Sequence, residues 1–335
     1  MTRGLFDFVR NLPGYADSPK SWYVNSKHTL TFWYEMVVGD LPMAAGSEPV
    51  KRYLNKLSKE VEETLEQRFI YFLVTRPRAR FVPGSFRWEP FRKGFSVKVV
   101  MGAERKRARF HGHVDRRVWP WLKKPDVALT DRFITFKTSP DSMTWSVHDF
   151  LSEIGVAADL PSKVEYVGKT KQPDMRLASG RHEYLARITH RTSEGFDTFL
   201  LVHLFKVTVH APAGPFFIVT TNPMTDQVNV EHEADIIECA FVRYFMTEYQ
   251  RDGQGDELSK LRNRLQDLAQ VHNIREVVFD LEMQEGLDSS PLFSAAVDSS
   301  RRHAFRCTLV DGEPRVDRLP EDFDPVNWAM NLGQS

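Results

Sequence analysis

A chain of 335 residues has length for two or three domains with substantial cores, which excludes a single small module. Its 45 basic and 45 acidic side chains cancel, so overall charge selects no partner and any electrostatic footprint must come from how the charges are distributed. Cys239 and Cys307 lie far apart without CxxC spacing, which argues against a disulfide scaffold or zinc ribbon and for a reducing cytoplasm. No apolar run approaches the roughly 20 residues of a membrane span, and no charged n-region with an apolar core opens the chain, so a cytoplasmic protein without a membrane partner is expected.

The first segment, residues 1–130, is expected to be a β-rich domain. Ser26 to Val38, SKHTLTFWYEMVV, is rich in residues that suit a pleated, half-buried surface. From Pro49 to about Phe69, the apolar positions Val50, Leu54, Leu57, Val61, Leu65 and Phe69 recur at helical steps, with Ser47 as N-cap. Strands are expected at Phe95–Met101, Arg107–Val114 and Phe133–Lys137, separated by turns such as VPGS. Between Arg76 and Arg132, sixteen basic residues face five acidic ones, with Phe81, Phe86, Trp88, Phe91, Phe95, Phe110, Trp119 and Trp121 interleaved. Such a surface tracks a phosphate backbone by charge while its rings stack or wedge, and Arg105, Lys106, Arg107 and Arg109 are its candidate contacts. Solvated arginines over buried aromatics are the alternative.

The second segment, residues 131–250, holds a helix-like SVHDFLSEIG, the strand-prone runs TFLLVHLFKVTV and PFFIVTT, and a helix through ECAFVRYFMTEYQ. Glu231, His232 and Glu233 resemble metal ligands, but acidic charge opening a helix explains them more simply. The third segment, residues 251–335, opens with RDGQGDE and a helix carrying Leu258, Leu261, Leu265 and Leu268. REVVFDL and HAFRCTLV follow as strands of a small α/β appendage.

Chemistry concentrates in VEYVGKTKQPDMRLASGRHEYLARI, Val164 to Ile188. A β-prone run ends at Gly168, passes through a turn-forming stretch and enters a helix near Asp174. Gly168 then permits close approach of backbone or substrate, and Arg176 sits in the first helical turn. This stretch resembles the GIY-YIG nucleases, which carry a YIG or YVG tripeptide on a strand and an arginine eight positions beyond its glycine. Tyr166, Val167, Gly168 and Arg176 match that spacing. The family's later helix has a metal-binding glutamate with an asparagine twelve residues on, and Glu238 and Gln250 occupy those positions.

The resemblance implies an α/β (α+β) fold with a small central mixed sheet flanked by helices, and a divalent-metal-dependent endonuclease. DNA would be the substrate, with RNA as a further possibility. Arg176 would bind the scissile phosphate through its planar donor fork, Glu238 would hold Mg²⁺ or Mn²⁺, and Tyr166 would contact phosphate or water. His182 joins the catalytic candidates; Gly168, Lys169 and Gln250 join the substrate-binding ones. No Gly-Ile-Tyr tripeptide precedes Tyr166, and the expected first strand is RFITFKT, with Phe133 and Phe136 near the place of the missing tyrosine. His148 is a substitute base by virtue of its near-neutral titration. A binding module without cleavage and a structural or assembly protein are the rival readings.

Overall fold

The computed structural model describes residues 3–34, 59, 69–113, 124–137, 142–156, 160–171, 188, 195–213, 216–247, 250, 254–283 and 290–332. In chain order, these contain α1 (Pro13–Ala16), β1 (Lys20–Trp33), β2 (Phe69–Pro77), β3 (Ala79–Phe81), β4 (Arg87–Glu89), β5 (Gly94–Met101), β6 (Lys106–His113), β7 (Asp126–Leu129), β8 (Phe133–Lys137) and β9 (Ser142–Ser146). Next come α2 (Val147–Glu153), β10 (Ser162–Thr170), β11 (Phe196–Ala213), β12 (Phe216–Thr221), α3 (Asn222–Thr225), α4 (Val230–Phe245) and α5 (Gln254–Val271). The chain closes with β13 (Ile274–Glu282), β14 (Leu292–Phe293), β15 (Arg302–Val310), β16 (Glu313–Arg318) and α6 (Pro325–Asn331). The fold is mixed α and β. Among the described residues no helix is long and apolar enough to cross a membrane.

One nine-stranded mixed sheet organises the molecule, in the order β14-β10-β2-β11-β1-β13-β15-β16 with β12 beside β11. Its β1–β13 and β10–β14 pairs are parallel and the others antiparallel. The expected sheet was small. The observed one takes β1 and β2 from the first sequence segment, β10 to β12 from the second and β13 to β16 from the third. The boundaries expected at residues 130 and 250 therefore do not bound this sheet. A four-stranded sheet (β3, β4, β5, β6) and a three-stranded one (β7, β8, β9) complete the fold, and the latter straddles residue 130.

Local sequence accounts for the elements. Phe69 to Val74, FIYFLV, is a continuous apolar run, as a strand covered on both faces requires. Ile70, Phe72 and Val74 join the main core, whereas Phe69, Tyr71 and Leu73 join a second cluster with Tyr34, Tyr166, Ile188, Leu200 and Val202. Phe69, the expected last turn of a helix, thus begins a strand; Lys59 within that expected helix is helical. On the main-core face, α4 packs through Phe241 and Phe245 against Phe72, with ring centroids 5.3 and 5.8 Å apart. Asn229 caps this helix by accepting from the backbone N–H groups of Glu231 and His232 at 3.1 and 2.9 Å, and Met246 closes it in the left-handed region. Leu261, Leu265 and Leu268 seat α5, as their spacing predicts.

A buried ionic knot joins the sheets. Asp197, at the start of β11, accepts through Oδ2 from His148 Nε2 of α2 (2.8 Å), Arg80 Nη1 of β3 (2.8 Å) and the Ala79 backbone N–H (3.1 Å). Burial pushes this carboxyl upward, yet His148 and Arg80 outweigh it and the net pKa falls; burial lowers His148. A neutral imidazole donating to a charged carboxylate satisfies both directions. Removing the carboxylate takes the acceptor from a buried imidazole, a guanidinium and a buried backbone N–H at once. Asp197→Ala should therefore lose about 3–5 kcal/mol in denaturant unfolding, and a loss within 0.5 kcal/mol of zero would rule out the knot as a structural joint.

Candidate functional site

The Tyr-Val-Gly strand lies at the edge of the large sheet. β10 pairs with β2 antiparallel, in the register Tyr166↔Leu73, Val167↔Phe72, Gly168↔Tyr71 and Lys169↔Ile70. Beyond its short contact with β14 at Ser162 and Lys163, its other side meets side chains. Gln250 docks on Val167 as a strand would: Val167 N–H donates to its Oε1 at 3.0 Å, and its Nε2 donates to Val167 O at 2.8 Å. Thr247 Oγ1 donates to the same Oε1 at 2.6 Å. Two residues along, Lys169 stands close enough to Glu238 to lower its proton affinity. The Gln250 bonds satisfy an exposed edge in place of a neighbouring strand.

Glu238 and Gln250 are thereby brought to the tripeptide, across a sequence gap of some seventy residues or more. Tyr166 is placed differently. Its ring joins the second cluster, on the sheet face opposite the one α4 covers, and is 8% exposed, whereas Glu238 is carried by α4. Arg176 and His182 lie outside the described residues. Ile188, from the same sequence stretch, packs in the cluster that holds Tyr166.

Gly168 differs from its expected role. The strand runs on to Thr170 and Gly168 is inside it. A Cβ there would lie 2.6 Å from both Cζ and Oη of Tyr71 and 2.8 Å from Tyr166 Cε1. The space left by the missing side chain is filled by aromatic rings, which leaves none for substrate at that point. Lys169 is likewise engaged, in an ion pair with Asp235 and a longer one with Glu231 at 3.7 Å.

Sequence reasoning missed Tyr71. The strand paired with Tyr-Val-Gly carries Phe69, Ile70 and Tyr71, with the rings of Tyr71 and Tyr166 5.9 Å apart. RFITFKT, expected as that partner, is β8 of the three-stranded sheet. The available signal was the unbroken apolar run after Phe69, which suits a strand better than the end of an amphipathic helix. His148 does not serve as a free base: it is held by Asp197 between Trp33 and Phe199.

Around the rim, charges are paired. Asp235 meets Lys169, Lys260 (2.7 Å) and Arg264 (2.9 Å); burial raises its pKa, and these cations together bring it down to about 2. Glu238 is raised by burial, with Lys169 and Lys260 opposing. Glu257 of α5 is raised to about 7 by burial and then by Glu238, and its Oε1 accepts from Gln250 Nε2 at 3.3 Å. Among the described residues no three His, Cys, Asp or Glu side chains are grouped to hold a metal ion. Glu231 pairs with Lys171, and Glu233 is buried against Asn222 and Arg3, so neither joins His232 in such a group.

The four-stranded sheet is electrostatically different. Its register aligns Arg87, Ser96 and His111 in one row, Lys98 and Arg109 in the next, and Val100 and Arg107 in a third, all on one face. The other face sends Trp88, Phe95, Val97, Val99 and Phe110 to the core. Arg105 takes a left-handed conformation in the β5–β6 turn, and Lys106 pairs with Glu104 at 3.0 Å. Arg109 donates to Ser96 Oγ at 3.0 Å. Glu89 is the acid within these rows, held below the usual carboxylate range by Ser96 and also by His111 and Arg92. Among the described residues Arg87, Lys93, Lys98, Arg105 and Arg107 have no acidic partner.

The chain matches no family model, no curated protein and no solved structure.

Two measurements check the rim. Gly168→Ala should lose about 1–3 kcal/mol by overpacking, and less in a Tyr71→Leu background; equal losses in both backgrounds would contradict the ring contact. Glu257 keeps its proton in the folded protein to about pH 7, whereas the unfolded carboxyl loses it near the ordinary value of 4.5. Folded stability from this group is therefore greatest below that ordinary value and falls as pH rises toward 7. Glu257→Gln should make the decline between pH 5 and 8 shallower, by about 1 kcal/mol after solvent screening. An unchanged slope in urea midpoints would contradict the assignment.

Proposed function

We propose that the protein is a divalent-metal-dependent nuclease of GIY-YIG type that grips a nucleic-acid backbone with the four-stranded sheet and hydrolyses a phosphodiester at the β2–β10 edge. DNA is the proposed substrate, with RNA as a comparison in the test. One observation carries this reading: Gln250, far along the chain from Tyr-Val-Gly, bonds to the backbone of that strand, and Glu238 lies close enough to Lys169 for that residue to lower its proton affinity. Tyr71, opposite Gly168, supplies a second phenol beside Tyr166 in a chain without a Gly-Ile-Tyr tripeptide upstream.

Phosphodiester hydrolysis needs a positioned water and stabilisation of charge growing on the phosphate oxygens. Arg176 is the proposed phosphate-binding fork, and His182 is a proton-transfer candidate. Tyr71 and Tyr166 would orient water or phosphate by hydrogen bonding. Glu238 raises the proton affinity of Glu257, so a divalent cation there would relieve carboxylate repulsion, and one or two carboxylates are an ordinary protein share for Mg²⁺. Bound Mg²⁺ or Mn²⁺ would supply charge neutralisation at the phosphate. The unpaired cations of the four-stranded sheet supply sequence-independent affinity.

A second reading, nucleic-acid binding without cleavage, is favoured by the burial of both phenols, 0% and 8% exposed. A supercoiled plasmid incubated with Mg²⁺ or Mn²⁺ separates the two. Nicking by the wild type that falls about 10²–10³-fold in Glu238→Gln supports the nuclease; salt-sensitive binding without nicking supports the second reading. Absence of binding at moderate salt to DNA and RNA alike would sink both. Lys98→Ala and Arg107→Ala should each reduce the slope of log affinity against log salt by about one unit. An unchanged slope in both would place the contact elsewhere.

A further inference from the structure

Six of the aromatics interleaved with the basic run fall among the described residues, and five of them are committed to packing. Phe86 stacks on Phe95 with centroids 5.4 Å apart, Phe81 meets Phe150 at 5.6 Å, and Trp88 and Phe110 lie against the main core. Phe91 is 94% exposed. It has no ring contact among the described residues.

The backbone holds this ring outward. Phe91 is the middle residue of a 3₁₀ turn, Pro90–Arg92, where Pro90 fixes the first φ and Lys93 closes the turn at φ 56° with its N–H donating to Pro90 O at 3.0 Å. Gly94 anchors the turn against β6 so closely that a Cβ there would lie 2.0 Å from Gly112 O. From the side, Glu89 holds Arg92 at 3.8 Å and His111 at 3.1 Å. A phenylalanine left in water forfeits the stabilisation of burial, and the turn holds it from folding back. Both ring faces and the ring edge are open. A ring lying flat on a sheet offers only one face, so this one is shaped to enter a gap between two flat surfaces. Arg92 and Lys93 follow it in the chain, and among the described residues Lys93 is without an acidic partner.

We propose that Phe91 inserts between two neighbouring bases of a nucleic acid whose phosphates are held by the cations of the four-stranded sheet. This rests on the nucleic-acid reading above and deepens it. A neutral ring among cations complements a polymer that alternates apolar base faces with anionic phosphates. A single ring inserts most easily where bases are already unstacked, so single strands and mismatched duplexes should be preferred over perfect duplexes.

Equilibrium binding of fluorescein-labelled single-stranded, mismatched and fully paired oligonucleotides to the full chain tests this, with thermal melting as the folding control. Phe91→Ala should melt as the wild type does, lose about five- to fifty-fold in affinity for the single strand, and keep the wild-type salt slope because no charge is removed. Phe91→Trp should retain affinity, and Phe91→Leu should fall with the alanine variant. Wild-type affinity in Phe91→Ala, or full rescue by Phe91→Leu, would overturn the insertion while leaving nucleic-acid binding intact. A wild type that binds no oligonucleotide at moderate salt would remove the nucleic-acid reading and this inference with it. Self-association that Phe91→Ala abolishes, without any change in oligonucleotide affinity, would assign the ring to a protein contact and overturn the proposal.

Discussion

The outward backbone groups of β10 are the constraint on which the candidate site depends. An edge strand presents N–H and C=O groups that must be paired or solvated, and here Val167 is met by an amide from far along the chain, with the Glu238 carboxylate close to Lys169. That requirement fixes where the end of α4 and the segment at Gln250 can lie. It also fixes the rim at which Glu238, Glu257 and the Asp235 cation cluster gather. A longer sheet with another strand beside β10 would have no use for Gln250 and no place for Glu238.

Charge is divided between two surfaces by opposite means. Along the β10 rim nearly every cation has a carboxylate: Asp235 alone holds Lys169, Lys260 and Arg264. On the four-stranded sheet, several cations stand without one. Among the described residues the two surfaces therefore differ in how their cations are paired, a contrast that the chain's overall neutrality hides. The Asp197 knot, which ties β3 and α2 to the start of β11, sets the orientation of that basic sheet on the large one. Its placement uses β2 as a beam: Ile70 pairs with Lys169 near one end of this strand, and the chain passes from Pro77 into β3 at the other.

Much of the local structure was legible in the sequence. β5, β8, α2, α4, α5, β13 and β15 all follow from alternation, helical spacing or capping residues, and the basic run between Arg76 and Arg132 yielded an exposed cationic face. Long-range pairing was not legible. β1 lies between β11 and β13, partners separated from it by most of the chain, and no local pattern encodes such a choice. The same limit hid Tyr71: FIYFLV reads as a buried strand, but only the register shows that its tyrosine stands opposite Gly168. Gly168 illustrates the converse. Its identity was a true signal of close approach, and the approaching group proved to be the Tyr71 ring.

The central claim is that the β2–β10 edge is where a metal ion and a nucleic-acid phosphate meet. Paramagnetic relaxation by Mn²⁺ tests it most directly, read on the backbone amide signals of the isotopically labelled full chain with a cleavage-resistant phosphorothioate oligonucleotide present. Selective broadening of Val167, Gly168, Lys169 and Tyr71 at substoichiometric Mn²⁺, lost in Glu238→Gln, is the result the structure leads us to expect. Broadening that leaves these four signals sharp while others vanish would contradict it.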